Sequence, residues 1–437
     1  MAKNPFKQIF DIKRSELPQS LSMGFTFFLI ICVFWILKPI KKGIFLSFYK
    51  SEGFTFLGTL YSAEQAELIA KVLNMVVAFF AVWVFSMLSN KLRREKLMYV
   101  FSAFFVLTLI LFSQFIGSVS SSVAWSFYLY GDLFSTLMVA TFFAFLNDSV
   151  NPDSAKRLYG LIGFGGVAGG AFSTTTLRGL QKSGAFSNEQ FLLMCVGIVI
   201  LIAILSFFAS KYSESENPTQ IKESEEAKSG NAAIEGGKLV LSSRYFLSIV
   251  AIVGLYEMVS TIMDFQFSSA IVNLVPKEEI GEAFTTAFAT TNVVAMFVQL
   301  FLTSFVMSRF GVGIALLFLP IASMLGSVGF LLFPSVLTGS LLNTADNGFS
   351  YSINQSAKEA LYVPTSKDEK YKAKAFIDMF VQRFAKALAV GLSLGITMIF
   401  QEFSAIKYLS LLTAVILVVW ILAVKYAGKR FKELTQN

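Results

Sequence analysis

The sequence contains no histidine, and only two of its 437 residues are cysteine. Without histidine, the chain cannot build a histidine proton relay, a histidine-ligated zinc site or a Ser-His-Asp hydrolase. Cys32 and Cys195 each lie inside an apolar run, so neither a disulfide framework nor a thiolate metal site is indicated. We therefore predict that the protein is not an enzyme and that it uses no metal or other cofactor.

Charged residues are also scarce, at 15% of the chain, against about 25% in a typical soluble domain. By contrast, 55% of the residues are hydrophobic, 48 of them are phenylalanine, and the mean hydropathy is +0.65. A water-soluble fold has no place for this much apolar surface. Apolar runs of roughly 20 residues recur along the chain without the alternation of a barrel strand, so we predict an all-α polytopic membrane protein.

Twelve stretches have the length and composition of transmembrane spans. The first follows a basic segment and lacks a small-residue cleavage site after a short apolar core, which indicates a retained helix and not a signal peptide. The predicted spans one to twelve are Leu17–Phe48, Glu64–Ser89, Leu97–Gly117, Ser122–Leu146, Ala155–Leu180, Asn188–Ala209, Tyr245–Val272, Ile280–Met307, Gly311–Phe333, Val336–Tyr362, Tyr371–Phe400 and Phe403–Ala427.

A polar stretch divides the spans into two groups of six. Residues 212–240 are rich in Gly, Ser and Glu and cannot bury a core, so we predict a cytosolic linker between an N-terminal half, 1–211, and a C-terminal half, 241–437. The turns after the second and eighth spans, at Lys91 and Arg309, are about half the chain apart. Two six-helix halves joined by such a linker are typical of the major facilitator superfamily, whose halves rock about a central site.

Basic residues concentrate in the loops on one side of the predicted spans, which places that side, with both termini, in the cytoplasm. This asymmetry accounts for the net charge of +8 without nucleic acid as a partner. We expect a monomer in the lipid bilayer of the inner, cytoplasmic membrane of a cell. The basic residues on this side are Lys91, Arg93, Arg94, Lys96, Lys156, Arg157, Arg309, Lys367, Lys370, Lys372, Lys374, Lys425, Lys429, Arg430 and Lys432.

Four positions with a charge inside the spans stand out, and they fall on spans one, four, seven and ten, the helices that line the central cavity in a transporter of this kind. Charge within a membrane is costly, so it is retained mainly where it faces protein or water and has a function. The charges are Lys41 with its neighbours Lys38 and Lys42 in span one, Asp148 in span four, Glu257 in span seven and Lys358 in span ten.

Helical spacing adds a polar stripe to two of these spans. The alternative is that the stripes only bond neighbouring helices, as Ser, Thr and Asn often do in membranes. The stripes consist of Asn343, Asn347, Tyr351, Asn354 and Lys358 in span ten, and of Glu257, Thr261, Asp264 and Ser268 in span seven.

Lysines that face a cavity attract anions, and lysine binds phosphate well as a point charge. Lys41, Lys358 and Lys38 are therefore predicted to contact an anionic substrate. The predicted substrate-binding set also contains Glu257, Asp148, Asn347, Tyr351 and Asn354. The predicted coupling or gating residues are Asp148, Glu257, Asp264 and Lys358. Because Asp148 and Lys358 both approach the cytosolic ends of their spans, a salt bridge that serves only as a gate is an equal alternative for this pair.

The glycines between Gly163 and Gly170 resemble a nucleotide-binding loop only superficially, because no strand precedes them and no Lys-Ser/Thr follows. Gly165 with Gly169, and Gly166 with Gly170, instead form small-xxx-small pairs that predict close approach of span five to another helix.

Several segments resemble the bacterial and plastid nucleotide transporters, the ATP/ADP translocase family of obligate intracellular bacteria. Asn147-Asp148 and SAKRLYGLIGFG at 154–165 are similar to the family's Asn-Glu, its Ala-Lys-Arg-Phe-Tyr and the glycines after it. SAKEALYVP at 356–364 resembles Thr-Lys-Glu-Met-Ala-Tyr-Ile-Pro, and KAKAFID at 372–378 resembles Lys-Gly-Lys-Ala-Ala-Ile-Asp. ILKPIKKG at 36–43 is similar to Leu-Arg-Asp-x-Lys-Asp-Thr.

The resemblance implies that Lys41, Asp148, Glu257 and Lys358 match the family's four functionally important charges. It also implies transport of a nucleotide or related phosphorylated anion by alternating access, through exchange or ion coupling. Two alternatives stay open: proton-coupled transport of a different organic or lipid-like anion on the same scaffold, and a non-transporting membrane receptor that docks partners through the linker.

Overall fold

The computed structural model describes residues 17–149, 152–211, 229–400 and 402–436, and these are almost entirely helical. The helices before the linker form spans one to six. They run over Leu17–Tyr49, Ala63–Ser89, Arg94–Phe115, Ser121–Ser149, Pro152–Lys182 and Asn188–Lys211.

The helices after the linker are more broken, because wide π-helical turns interrupt spans eight, ten and eleven. These turns are Val298–Thr303, Ser350–Asn354 and Ile377–Val381, and a short 3₁₀ turn, Lys277–Glu279, precedes span eight. The α-helices are Ser229–Ser242, Arg244–Leu274, Ile280–Phe297, Ser304–Leu332, Val336–Phe349, Gln355–Ala360, Lys367–Phe376, Gln382–Ile399, Phe403–Ile406 and Leu409–Gln436.

Together the described helices account for all twelve predicted spans. Spans eight and nine are separated at Gly311, whose backbone φ of 79° is not helical. One helix ends there and the next begins. By length and composition alone, eight described stretches can cross a membrane, and one of them, Lys277–Leu332, contains both of these spans. Spans five, ten and eleven fall short of this criterion; span five is rich in glycine and hydroxyl residues, and the other two are interrupted by wide turns and carry polar side chains.

The described residues pack as two compact units. One contains 17–149, 152–211 and 276–293, and the other contains 229–275, 294–400 and 402–436. In the first unit, span one is central and contacts spans two, four, five and six. In the second, span seven has the same place and contacts spans ten, eleven and twelve.

Glycines bring spans one and five together, as their spacing predicts. A Cβ on Gly165 would lie 2.9 Å from the carbonyl oxygen of Gly24, and a Cβ on Gly169 would lie 2.6 Å from that of Phe28. Real Cβ atoms do not approach a carbonyl this closely, so only glycine permits the contact. The small-xxx-small prediction is confirmed, with span one as the partner.

Two elements were not predicted from the sequence. A hairpin of three-residue antiparallel strands, β1 (Phe54–Phe56) and β2 (Thr59–Tyr61), lies between spans one and two. A linker helix, Ser229–Ser242, occupies the later part of the predicted linker and packs against Lys367–Phe376, where Gly236 approaches the backbone of Lys372. Strands of three residues are too short to show a pattern of alternation. The linker sequence is polar, which favoured an irregular segment over a helix. Residues 212–228 of the predicted linker lie outside the described residues.

Candidate functional site

Span one brings two lysines into the interior of the first unit, where each has a carboxylate partner. Lys41 and Lys42 are each 3% exposed. The Lys41 ammonium forms an ion pair with Asp132 of span four, and the Asn74 side-chain amide of span two donates a hydrogen bond to the same carboxylate. Spans one, two and four therefore meet at one ion pair.

The second pair, Lys42 with Glu67, lies deeper. The Lys42 Nζ is 3.0 Å from Glu67 Oε1, and the Tyr128 hydroxyl donates to that oxygen at 3.0 Å. Glu67 is completely buried. Two buried charges are tolerated only when they pair closely and have further hydrogen bonds, because their desolvation is expensive. Both lysines meet this condition, so we infer that the cluster joins helices as well as carrying charge.

Local packing explains how the Lys41 side chain fits beside span four. Its Nζ lies 4.5 Å from the centre of the Tyr128 ring, in a cation–π arrangement. Gly131 leaves room for the chain, since a Cβ there would lie 2.6 Å from Lys41 Cδ. Span four thus offers a ring, a gap and a carboxylate at positions 128, 131 and 132, which share one helical face.

Lys38, one turn before these residues, has an aromatic environment. Its Nζ lies 4.5 Å from the centre of the Trp35 ring and 5.0 Å from that of Phe288, which belongs to the same unit. The predicted substrate residues Lys38 and Lys41 therefore both lie beside aromatic rings, and Lys41 also forms the ion pair with Asp132.

The second unit contains a cavity of about 530 Å³ between spans seven, ten and eleven. This volume lies within the range of about 300–1,000 Å³ that small-molecule sites occupy. The lining residues are Val253, Tyr256, Glu257, Ser260, Asn347, Ser350, Asn354, Gln355, Lys358, Glu359, Tyr362, Lys374, Gln382 and Lys386.

Three lysines and two glutamates give this cavity an excess of positive charge. Lys374 Nζ lies 2.6 Å from Glu359 Oε1, and both side chains are 36% exposed. Within the described part of the chain, neither Lys358 nor Lys386 forms an ion pair or a side-chain hydrogen bond. The cavity therefore presents cationic groups that no described residue neutralises.

Buried polar atoms that have no hydrogen-bond partner among the described residues line the same cavity. Ser350 and Asn354 are 6% and 3% exposed, and among described residues the Ser350 hydroxyl and the Asn354 side-chain oxygen have no hydrogen-bond partner. Both belong to the wide turn of span ten, and such turns are frequent at functional sites. Because an unpaired buried polar group is costly, these two atoms are suited to contact water or a polar ligand.

The structure brings four of the predicted residues together in this cavity: Glu257, Asn347, Asn354 and Lys358. The Asn347 amide also donates to the Asn343 side-chain oxygen at 2.9 Å, so one part of the span-ten stripe bonds within its own helix.

Three other predicted residues are placed differently. Asp148 is exposed in the last turn of span four, in the first unit. Asp264 is half-buried and lies two turns beyond Glu257, outside the cavity lining. The side chain of Tyr351 lies outside the part that the structure describes.

Sequence reasoning missed the partners of these lysines. Asp132 and Glu67 are carboxylates within apolar spans, and the rule that singled out Lys41 applied equally to them. In the sequence, Glu359 and Lys374 stand out only as parts of a family motif and of a basic cytosolic turn. Lys386 carries the same signal, a charge inside span eleven.

The fold defines the class of protein. The solved structure of the nucleoside transporter NupG aligns with a TM-score of 0.57 and 13% identity, covering 96% of this chain and 99% of that one. A D-xylose-proton symporter aligns with a TM-score of 0.60 and 11% identity, covering 96% and 97%. At such low identity these likenesses show the fold alone, and it is the predicted major facilitator fold.

The family follows from the sequence comparison. Residues 110–337 and 331–431 match the TLC ATP/ADP transporter family, and the chain belongs to this family. It is similar to the ADP,ATP carrier protein 1, chloroplastic, of Arabidopsis thaliana (24% identity; 98% of this chain and 76% of the relative). It is also similar to the ADP,ATP carrier protein 1 of Rickettsia bellii (22%; 99% and 97%). The resemblance predicted from the motifs is confirmed, and membership of a carrier family supports the prediction that the chain is not an enzyme.

Proposed function

We propose that the protein binds ATP, ADP or a closely related phosphorylated anion and exchanges it across a membrane by alternating access. The observation that carries this proposal is the lysine-rich cavity of the second unit, with two lysines that have no anionic partner in the described part of the chain. A phosphate-bearing ligand supplies the missing negative charge. Family membership selects the nucleotide among such ligands.

The residues of the cavity suggest distinct roles. Lys358 contacts phosphate as a point charge, and the Ser350 hydroxyl and Asn354 amide contact polar groups of the substrate. Glu257, in the same wall, limits the net positive charge and serves coupling or gating. Asn347 and Tyr351 belong to the same stripe of span ten and are proposed to extend the substrate contact.

In the first unit, Lys41 and Lys38 are proposed to meet substrate in another state of the transport cycle. For Lys41 this requires its ion pair with Asp132 to open, because the ammonium is buried. Asp148 and Asp264, which lie outside the described cavity, are proposed to act in gating or coupling. The bound anion neutralises the positive charge of the lysines, whereas the empty carrier retains that charge. This difference favours movement of the loaded carrier over the empty one.

The distribution of Lys and Arg supports a cytosolic location for both termini, in the cytoplasmic membrane of a bacterial cell. The bacterial relatives support the same kind of membrane, whereas the plastid relatives show that the family is not confined to bacteria. We propose that the protein works as a monomer.

Exchange in proteoliposomes tests this function. Vesicles loaded with ADP and offered radiolabelled ATP should take up label faster than empty vesicles, and Lys358→Gln should abolish the difference. Lys432→Gln removes the same charge from an exposed position near the C-terminus and should behave as wild type. The proposal fails if no phosphorylated compound is taken up, or if Lys358→Gln transports at the rate of the control.

A further inference from the structure

The ion pair between Lys374 and Glu359 lies in the wall of the lysine-rich cavity and has no role in the function proposed above. We infer that Lys374 is a second phosphate-binding residue and that Glu359 is its built-in competitor, a carboxylate that holds Lys374 until phosphate displaces it. This inference rests on the proposed transport of a phosphorylated anion.

The position of the pair places it beside Lys358. Glu359 follows Lys358 in span ten, and Lys374 reaches Glu359 from span eleven with an Nζ to Oε1 distance of 2.6 Å. All three side chains line the same cavity. A phosphate chain that contacts Lys358 therefore also comes within reach of Lys374.

Burial indicates that the pair can open. Both side chains are 36% exposed, so neither charge becomes stranded in an apolar interior when they separate. Exposed pairs of this kind contribute little to stability, because solvent screens their attraction. The buried pair of Lys42 and Glu67 in the first unit lacks this freedom, since Glu67 is fully buried.

Glu359 also retains a partner when Lys374 leaves it. The Gln355 side-chain amide donates to Glu359 Oε1 at 3.4 Å, from the preceding turn of the same helix. Lys374, once free, offers three N–H donors to phosphate oxygens. A polyphosphate carries several negative charges where Glu359 carries one, so it competes effectively for the ammonium beside Lys358.

Lys386 is a further positively charged residue of the same cavity. It lies twelve residues beyond Lys374 in span eleven, roughly 18 Å along a helix axis, and it lines the same cavity. The cavity thus carries cations that are well separated along span eleven.

Ligand affinity of the purified full-length protein tests the inference, with ATP, ADP, AMP, adenosine and inorganic tripolyphosphate as probes. Glu359→Gln should bind ATP and tripolyphosphate roughly fivefold more tightly, because it removes the competing carboxylate. Lys374→Gln should bind them roughly tenfold more weakly. Adenosine, which has no phosphate, should bind all variants equally.

Combining the two substitutions distinguishes competition between Glu359 and phosphate for Lys374 from a general effect of cavity charge on ligand affinity. In the Lys374→Gln background, Glu359→Gln should no longer tighten binding, since the group for which it competes is gone. Glu433→Gln breaks a similar pair, with Arg430 at 2.7 Å, outside this cavity and should change nothing. If Lys374→Gln fails to fold, Lys374→Arg replaces it in the test. This variant keeps the positive charge and should retain ligand binding.

The outcomes distinguish this inference from the proposed function. If ATP binds and its affinity is unchanged in Glu359→Gln and Lys374→Gln, the pair is only structural and the inference is wrong, while nucleotide transport stands. If ATP does not bind but tripolyphosphate binds with the expected pattern, the inference holds and the nucleotide proposal fails. If wild-type protein binds neither probe, both are overturned.

Discussion

The two units treat lysine in opposite ways. In the first, Lys41 and Lys42 are 3% exposed and each is paired with a carboxylate from another helix. In the second, Lys358 and Lys386 line a cavity and have no ion-pair partner in the described part of the chain. The same residue type therefore has two roles, and the presence of a partner distinguishes them.

The difference follows from the energetics of charge in a membrane protein. A lysine that is removed from water must be neutralised by the protein, so its pair becomes part of the packing. A lysine beside a wet cavity can remain unpaired at little cost, and a ligand can then supply the opposite charge. The first unit accordingly uses ion pairs to join helices, whereas in the second Lys358 and Lys386 have no ion-pair partner among the described residues and stay available to a ligand.

Breaking the buried pair should have the largest effect on stability. Lys42→Met leaves the Glu67 carboxylate buried and should lower the free energy of unfolding by about 3–5 kcal/mol. Thermal unfolding in detergent measures the change. The double variant Lys42→Met with Glu67→Leu should recover most of the loss, because no charge is left unpaired; a double variant as unstable as the single one contradicts a role for the pair in packing.

Glycine-to-alanine substitutions should lower stability more in the first unit than in the second, although by less than the loss of the buried pair. Gly131→Ala places a Cβ 2.6 Å from Lys41 Cδ and should cost about 1–3 kcal/mol through overpacking. Gly254→Ala, in span seven near the cavity, meets its nearest atom, in Val381, at an ordinary 3.4 Å. It should change stability by no more than about 1 kcal/mol. Equal losses of stability in the two variants, measured by thermal unfolding, would contradict this difference between the units.

Lys358→Gln should barely change stability although it abolishes exchange. The side chain is half-buried and makes no ion pair in the described residues, so the free energy of unfolding should change by less than about 1 kcal/mol. Parallel unfolding and uptake measurements on one preparation provide the check. A loss of stability comparable to that of Lys42→Met means that Lys358 supports the fold and is not reserved for a ligand.

The smallest effect is expected at the surface pair of Arg430 and Glu433. These residues are three positions apart on the last helix and exposed, so solvent already screens their attraction. Glu433→Gln should leave the unfolding midpoint and nucleotide exchange at wild-type values in the assays above. A measurable shift in either quantity shows that exposed pairs matter here, and weakens the contrast with the buried pairs.

Most of the fold could be predicted from the sequence because a membrane constrains it so strongly. The length of apolar runs located all twelve spans, and the spacing of Gly165 and Gly169 predicted a close helix contact. The π turns and the hairpin were not predicted. A π turn adds one residue to a helix without a distinctive composition, and strands of three residues show no periodicity.

The site was predicted only in part, for a related reason. Spacing places Asn347, Asn354 and Lys358 on one face of span ten, and the structure puts all three in one cavity. Spacing within one helix does not indicate which neighbour it meets, so the pairing of Lys41 with Asp132 depends on how spans one and four pack. The role of Glu359 likewise depends on its distance to span eleven.

Thiol labelling at two lysine positions tests the contrast between the units most directly. The native cysteines, Cys32 and Cys195, are both buried and should contribute little background. A cysteine in place of Lys358 should react with a charged, water-soluble thiol reagent roughly tenfold faster than one in place of Lys42. ATP should slow the labelling of a cysteine in place of Gln355, which lines the same cavity and leaves Lys358 in place to bind phosphate. Equal rates at the two positions, or no protection by any phosphorylated ligand, would contradict the account.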